Sequence, residues 1–273
     1  ESIWDIMLRC SLNKDEEYAL MEYVKSKGMI YLSTPFSRDA AIRLEEMNVQ
    51  AYKIGSGECN NYPLIKHIAS YQKPIILSTG MNDLNSIQPA VDIFRQFNVP
   101  YALLHCTSLY PTPYNLVRLG AIPTLAKSFP DAIIGLSDHS IGNYTCFASV
   151  PLGARILEKH FTSDKSWPGP DVPISIDPVE LNDLIDGSRF IFDSLGGEKE
   201  ILPGEKPTID FAYACVVSIK KIKKGDIISQ ENIWVKRPGT GEIKAKDYES
   251  LLGKRAIKTI DVNEQLRWDD FEK

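Results

Sequence analysis

Ile133-Ile134-Gly135-Leu136-Ser137-Asp138-His139 and Arg155-Ile156-Leu157-Glu158-Lys159-His160 are the two runs that decide how this chain is read. Each is a short apolar segment stopped by a turn, the pattern of a buried parallel strand, and each is closed by a histidine. Both imidazoles are therefore expected at one rim of a sheet, where α/β enzymes place their chemistry. The other strand-like runs end in Ser33-Thr34-Pro35-Phe36, Lys53-Ile54-Gly55-Ser56-Gly57-Glu58, Leu77-Ser78-Thr79-Gly80-Met81 and His105-Cys106-Thr107. Hydroxyls, glycines and a lysine at strand ends are the chemistry that holds a phosphate.

Outward from these runs, apolar periodicity predicts helices over 15–27, 40–47, 63–71, 86–97, 143–152 and 177–195, with 117–128 partly helical. Strands are predicted over 29–34, 51–55, 74–78, 101–106, 132–136 and 154–160. Alternation of this kind implies right-handed βαβ crossovers and a parallel sheet. A closed (β/α)₈ barrel needs eight strands, whereas six suit an open doubly wound sheet. The doubly wound fold, however, calls for a glycine-rich first turn and gathers its ligand contacts at one switch point. Polar endings on every strand favour the barrel, so the expected fold is α/β, a TIM-type (β/α)₈ barrel lacking its first two βα units. The opening Glu1-Ser2-Ile3-Trp4, with no initiator methionine, agrees with that expectation. Turn formers and charges around Gly196-Gly197-Glu198-Lys199 and Pro203-Gly204-Glu205-Lys206-Pro207 divide the chain. A barrel domain is expected over 1–196, a linker over 197–210 and a small, mostly β domain over 211–273. The last has a marginal core for its size and is expected to dock onto a barrel.

At 273 residues and 43% hydrophobic, the chain can bury a substantial core. Its net charge of −5, with basic residues mixed among acids, argues against a nucleic-acid partner. The dense basic run Lys220, Lys221, Lys223, Lys224 precedes Gly225-Asp226 and reads as a solvated hairpin. Five cysteines without framework spacing suit a reducing, cytoplasmic setting. No run has the length of a membrane span, and no secretory signal is visible, so no membrane partner is expected.

Thr34, Lys53, Ser56, Ser78 and Ser137, from successive units, have the groups a phosphate cradle requires. His139 and His160 each head a loop, and two neutral imidazoles with water and a substrate oxygen suit Mn²⁺, Zn²⁺ or a similar divalent ion. His67 reads as a helix-surface or packing residue. His105 reads as a satisfied core histidine, with a ligand or phosphate donor as alternatives. Cys106 reads as packed beneath the site, with a catalytic thiol as the alternative. Glu158 either points into the barrel interior beside substrate or pairs with Lys159 or Arg155.

Lys53-Ile-Gly-Ser-Gly-Glu-Cys-Asn-Asn-Tyr-Pro-Leu, Leu77-Ser-Thr-Gly-Met, Leu104-His-Cys-Thr, Tyr110-Pro-Thr-Pro, Gly135-Leu-Ser-Asp-His, Glu158-Lys-His-Phe-Thr, Pro168-Gly-Pro-Asp and Lys236-Arg-Pro-Gly together resemble the bacterial sialic acid (N-acetylneuraminate) synthase family, over nearly the whole chain. The resemblance implies a (β/α)₈ barrel with a C-terminal SAF (antifreeze-like) domain. It implies condensation of phosphoenolpyruvate with N-acetylmannosamine or a related N-acetylated amino sugar, giving a nonulosonic acid and inorganic phosphate. It further implies a homodimer in which the small domain caps the partner's barrel, and a divalent metal, Mn²⁺ ahead of Mg²⁺ or Co²⁺. Carried onto this sequence, it makes His139 and His160 metal ligands and sets Thr34, Lys53, Ser56, Ser78 and Ser137 around phosphoenolpyruvate. Glu158 and Lys53 become the catalytic pair, Tyr110 and Asp171 face the amino sugar, and Phe211 and Arg237 arrive from the partner's cap. Ser108 stands where many relatives carry asparagine, at a phosphoenolpyruvate or sugar contact. The family's first two strands, with an acidic residue and a lysine of the site, are absent. A chain without them is expected to be less stable and less active, because unpaired sheet edges are a liability. Asn60-Asn61-Tyr62 leans toward the unphosphorylated sialic or legionaminic branch. Alternatives are a legionaminic or pseudaminic acid synthase, a Schiff-base sugar aldolase using Lys53 or Lys159, and an inactive sugar-phosphate-binding fragment.

Overall fold

The computed structural model describes residues 2–272, which form two compact units divided between Gly196 and Gly197. The first opens with α1 (Ile3–Cys10), α2 (Lys14–Ser26) and α3 (Arg38–Glu46). Strands and helices then alternate through β1 (Tyr52–Ile54), α4 (Tyr62–Ala69), β2 (Ile75–Ser78), α5 (Leu84–Gln96) and β3 (Tyr101–Cys106). The series continues through α6 (Tyr114–Val117), α7 (Ala121–Ser128), β4 (Ile133–Asp138), α8 (Tyr144–Ser149), β5 (Ile156–Lys159) and α9 (Pro178–Asp193). Helix starts are written locally: Asn13 with Glu16 and Asp177 with Glu180 form capping boxes, and the Ser37 and Asp83 side chains accept from the first turns of α3 and α5.

The five strands pair in parallel, in chain order. Their alternation sends Tyr52, Ile54, Ile75, Leu77, Leu103 and Leu136 into the main apolar core with the helices. The opposite face carries Lys53, Ser78, Ser137 and Glu158. A flat sheet would hold β1 and β5 about 19 Å apart, four spacings of about 4.8 Å. Yet Lys53 Nζ of β1 lies 3.5 Å from Glu158 Oε2 of β5, so the sheet is curled and its polar face is the concave one. Gly135 permits the close approach of β5, since a Cβ there would fall 2.5 Å from the Ile156 carbonyl oxygen.

One expected strand does not form. Residues 29–34 make only one ladder-like bond to β1, from the Lys53 N–H to the Ser33 carbonyl at 3.4 Å, and Met29, Ile30 and Leu32 stay exposed. Tyr31 packs against the main core, but without a repeating ladder the run remains coil, so five of the six expected strands are present among the described residues. The sheet is a curled parallel half-barrel, with no ladder joining β5 to β1.

In the second unit, the stretch read as linker carries α10 (Lys206–Ala212), followed by the antiparallel pair β6 (Cys215–Ser218) and β7 (Ile233–Lys236). Isolated bridges join Ile222 to Ile260, Ile227 to Arg255 and Ala256 to Phe271 around a separate core that includes Val216, Ile228, Ile243, Leu251 and Leu266. The four lysines from 220 to 224 are exposed beside the Gly225 turn, so they are solvated as expected, but the turn is not a hairpin: Ile222 and Ile227 on its two sides bridge to Ile260 and Arg255 and not to each other.

Candidate active site

The concave face brings four of the expected residues into one cluster. Lys53 Nζ donates to Ser78 Oγ at 2.8 Å and to the Ile54 carbonyl at 3.2 Å. Ser137 Oγ donates to Glu158 Oε1 at 2.6 Å, while Glu158 Oε2 faces Lys53. Lys53 is buried, but the Glu158 side chain is 40% exposed, so the cluster opens at its carboxylate end. The Glu158 side chain points to the concave face. Lys159 points to the other face, where it pairs with Asp138, and the Glu158 carboxylate pairs with Lys53 rather than with Lys159 or Arg155. Thr34, Lys53 and Glu158 line a cavity of about 640 Å³ with Ile156, Phe161 and Ile176.

Beside it, the Gly80 N–H donates to Ser56 Oγ at 2.9 Å. A Cβ on Gly80 would fall 2.3 Å from Ser108 Oγ and 3.1 Å from Cys106 Sγ, so only glycine fits among these groups. Ser56 and Ser108 are thus neighbours although they come from different βα units. Gly80 was not singled out from the sequence, and its place in Leu77-Ser-Thr-Gly-Met was the available signal.

The two histidines stand at the ends of adjacent strands. Their ring centres are 5.3 Å apart with planes at 71°. Tyr110 stacks on His139 at 4.1 Å and meets His160 edge-on at 5.7 Å. His139 Nδ1 lies 2.9 Å from the Thr107 carbonyl, and His160 Nδ1 lies 3.5 Å from Asp171 Oδ2. Both δ nitrogens are therefore engaged, and the two Nε2 atoms are the ligating positions that remain. One divalent ion about 2 Å from a nitrogen of each ring fits such a spacing, and a carbonyl or carboxylate on the other nitrogen is the usual second contact of a ligating histidine. Among the described residues no group of three or more His, Cys, Asp or Glu gathers as a metal cluster, so water and substrate oxygens would complete the shell.

Burial works against charge on both rings. At His139 the Cys106 sulfur, 3.9 Å from Nδ1, and the Thr107 carbonyl outweigh it and raise the pKa. At His160 burial prevails over the pull of Asp171 and lowers it. Cys106 is buried, as expected of a residue packed beneath the site, but it touches His139 and is held below the usual thiol range by that contact in spite of its burial. His105 is a satisfied core histidine, its Nε2 2.6 Å from the Val117 carbonyl, and His67 on α4 pairs with Tyr71 just beyond the helix. Phe211 on α10 and Arg237 after β7 are exposed residues of the second unit.

Comparison with known proteins matches residues 1–200 to the NeuB family and residues 213–272 to the SAF domain. An uncharacterised protein of Methanocaldococcus jannaschii is 39% identical over 98% of this chain and 80% of its own length. An N,N'-diacetyllegionaminic acid synthase of Campylobacter jejuni is 38% identical, again over 98% of this chain and 80% of that protein. Among solved structures, the N-acetylneuraminic acid (sialic acid) synthetase of Leptospira borgpetersenii superposes with a TM-score of 0.69 at 35% identity, covering 73% of this chain and 70% of that one.

Proposed function

This chain belongs to the NeuB family and carries a SAF domain, and from that premise we propose that it condenses phosphoenolpyruvate with an N-acetylated amino sugar, N-acetylmannosamine first, to give a nonulosonic acid and inorganic phosphate. The observation that supports this reading best is the meeting of Lys53, Ser78, Ser137 and Glu158 on the concave face, at the rim where His139 and His160 also stand.

Phosphate oxygens would take the Lys53 ammonium and the Ser78 and Ser137 hydroxyls, with Ser56, Ser108 and the Gly80 turn beside them. The anion then replaces Glu158 as the counter-charge of Lys53, which frees that carboxylate. The enol carbon of phosphoenolpyruvate forms a bond to the sugar aldehyde carbon, and the aldehyde oxygen takes up a proton. Water adds at the cationic carbon that results, giving up one proton to Glu158, which offsets the proton taken up by the aldehyde oxygen, and the tetrahedral centre collapses to a ketone as its hydroxyl proton passes to the phosphate and the carbon–oxygen bond to that phosphate breaks. Lys53 stabilises the charge that gathers on the departing phosphate. His139 and His160 would hold a divalent ion through Nε2, Mn²⁺ ahead of Mg²⁺ or Co²⁺, which supplies Lewis acidity at the sugar carbonyl when bound. Tyr110 and Asp171, both exposed at this rim, are the side chains we assign to the sugar. Phe211 and Arg237 are assigned to a cap contributed across a homodimer, in a cytoplasmic protein; no described helix is long and apolar enough to cross a membrane.

A Schiff-base aldolase is less well supported. Lys159 is sealed in an ion pair, its side chain 2% exposed, and Lys53 is engaged by a hydroxyl, a carbonyl and a carboxylate. The test is phosphate release from phosphoenolpyruvate with N-acetylmannosamine, its 6-phosphate and the diacetamido-trideoxyhexose precursors of legionaminic and pseudaminic acids, each with Mn²⁺ and with chelator. The expected result is release that needs both a sugar and Mn²⁺, with a product three carbons longer than the sugar. A borohydride-trapped pyruvate adduct, or turnover indifferent to chelator, would contradict it. Binding of phosphoenolpyruvate with no release under any condition would favour the binding-fragment reading.

A further inference from the structure

Asp138 and Lys159 lie directly opposite one another in the β4–β5 register, and the next residue on each strand is one of the two histidines. These are the last residues paired by the ladder, so backbone pairing alone does not fix the distance between the rings beyond it. On the face away from the substrate cluster, Lys159 Nζ lies 2.9 Å from Asp138 Oδ2, with both side chains at most 2% exposed. The same ammonium donates to the Ser140 carbonyl, so Lys159 of β5 grips the chain at the end of β4 on both sides of His139. The Asp138 carboxylate in turn accepts from the Ser140 N–H at 3.1 Å, from the Ser140 hydroxyl at 2.9 Å and from the Thr145 hydroxyl at 2.7 Å. Through these bonds the turn that carries His139 is fastened to the strand that carries His160.

We infer that the buried Asp138–Lys159 pair is a positioning clamp that sets the separation of the two imidazoles for one shared divalent cation. The pair touches neither the ion nor the substrate, so its part is indirect. It rests on the metal reading of His139 and His160. Outer contacts that orient ligating histidines are worth roughly 10- to 100-fold in metal affinity. Removing the clamp is therefore expected to weaken Mn²⁺ binding by that factor. The KM for phosphoenolpyruvate at saturating Mn²⁺ should not change, because the anion cradle is on the other face.

The experiment titrates Mn²⁺ alone into the full chain, following free Mn²⁺ by electron paramagnetic resonance. It compares the parent with Lys159→Met, the isosteric Asp138→Asn, and the double variant Asp138→Leu/Lys159→Met, in which volume is restored without charge. Near-UV circular dichroism reports whether each variant keeps its packing. A 10- to 100-fold weaker affinity in a variant that keeps the parent spectrum supports the clamp. Affinity within twofold of the parent in such a variant would overturn it, as would loss of packing in all three, since the pair would then serve the fold and not the ring spacing. His139→Ala and His160→Ala separate the two claims. If they leave Mn²⁺ binding intact, the metal reading itself fails. If they abolish it while the clamp variants bind normally, only the clamp fails.

Discussion

Glu158 and Lys159 are neighbours on one strand, and each forms a lysine–carboxylate pair, yet the two pairs differ in almost every respect. Glu158 faces the concave side, 3.5 Å from Lys53, with 40% of its side chain exposed. Lys159 faces the helices, 2.9 Å from Asp138, and both groups are closed off from solvent. The first pair is loose and open, so an incoming anion can take the lysine and release the carboxylate. The second is fully enclosed by hydroxyl, amide and carbonyl partners, which is the condition under which a buried charge is tolerated. A parallel strand thus sends chemistry to one face and rigidity to the other within two residues.

Removing one lysine from each pair separates the two roles. Lys53→Met is expected to lower kcat/KM about a thousandfold, in keeping with the loss of a charge-stabilising donor, while the melting temperature changes little. Lys159→Met should do the reverse to stability, costing about 3–5 kcal/mol because it leaves the Asp138 carboxylate buried without its counter-ion. Chemical denaturation of the two variants side by side checks the stabilities, and initial rates of phosphate release check kcat/KM. Glu158→Gln keeps an acceptor for the Ser137 hydroxyl but removes the base, so kcat should fall about 100-fold with KM for phosphoenolpyruvate nearly unchanged.

Cys146 offers a finer probe of the sealed side. Its sulfur lies 3.7 Å from Asp138 Oδ2, and burial, ahead of the nearby Asp138 charge, pushes the thiol up to about 12. At pH 8 it should resist alkylation in the parent, while the exposed Cys10 reacts, and Lys159→Met, which removes a charge that favours the thiolate, should leave Cys146 no more reactive while the packing holds. The smallest effect is expected on the surface. Arg95 grips Asp131 through two bonds of 2.9 and 2.6 Å, but both side chains are 40% or more exposed. Asp131→Ala should cost less than about 1 kcal/mol.

How far the sequence could be read follows the same division. Period-2 alternation places Glu158 and Lys159 on opposite faces, and apolar runs mark β1 to β5, because these properties are local. The resemblance puts Lys53 and Glu158 in one site, but the residues alone do not reveal the partners, since Lys53 reaches Glu158 across the whole curl of the sheet and Asp138 meets Lys159 through register. Residues 29–34 show the limit: they are as apolar as a true strand, but strand identity also needs a repeating ladder, and here a single bond from Lys53 stands in its place. Helix α1 went unread for the opposite reason. Trp4, Met7 and Leu8 are exposed, and the local signal at its start is the Ser2 hydroxyl accepting from the Asp5 N–H at 3.2 Å. The histidine pair was visible as two strand ends, whereas the contacts that orient it, from Thr107 and Asp171, come from loops whose course the sequence does not reveal.

The most direct test of the central claim is anomalous diffraction from crystals of the full chain soaked with Mn²⁺ and phosphoenolpyruvate. One Mn²⁺ peak within bonding distance of His139 and His160 is expected, with the phosphate against Lys53, Ser78 and Ser137. A peak elsewhere, or a phosphate remote from Lys53, would contradict it.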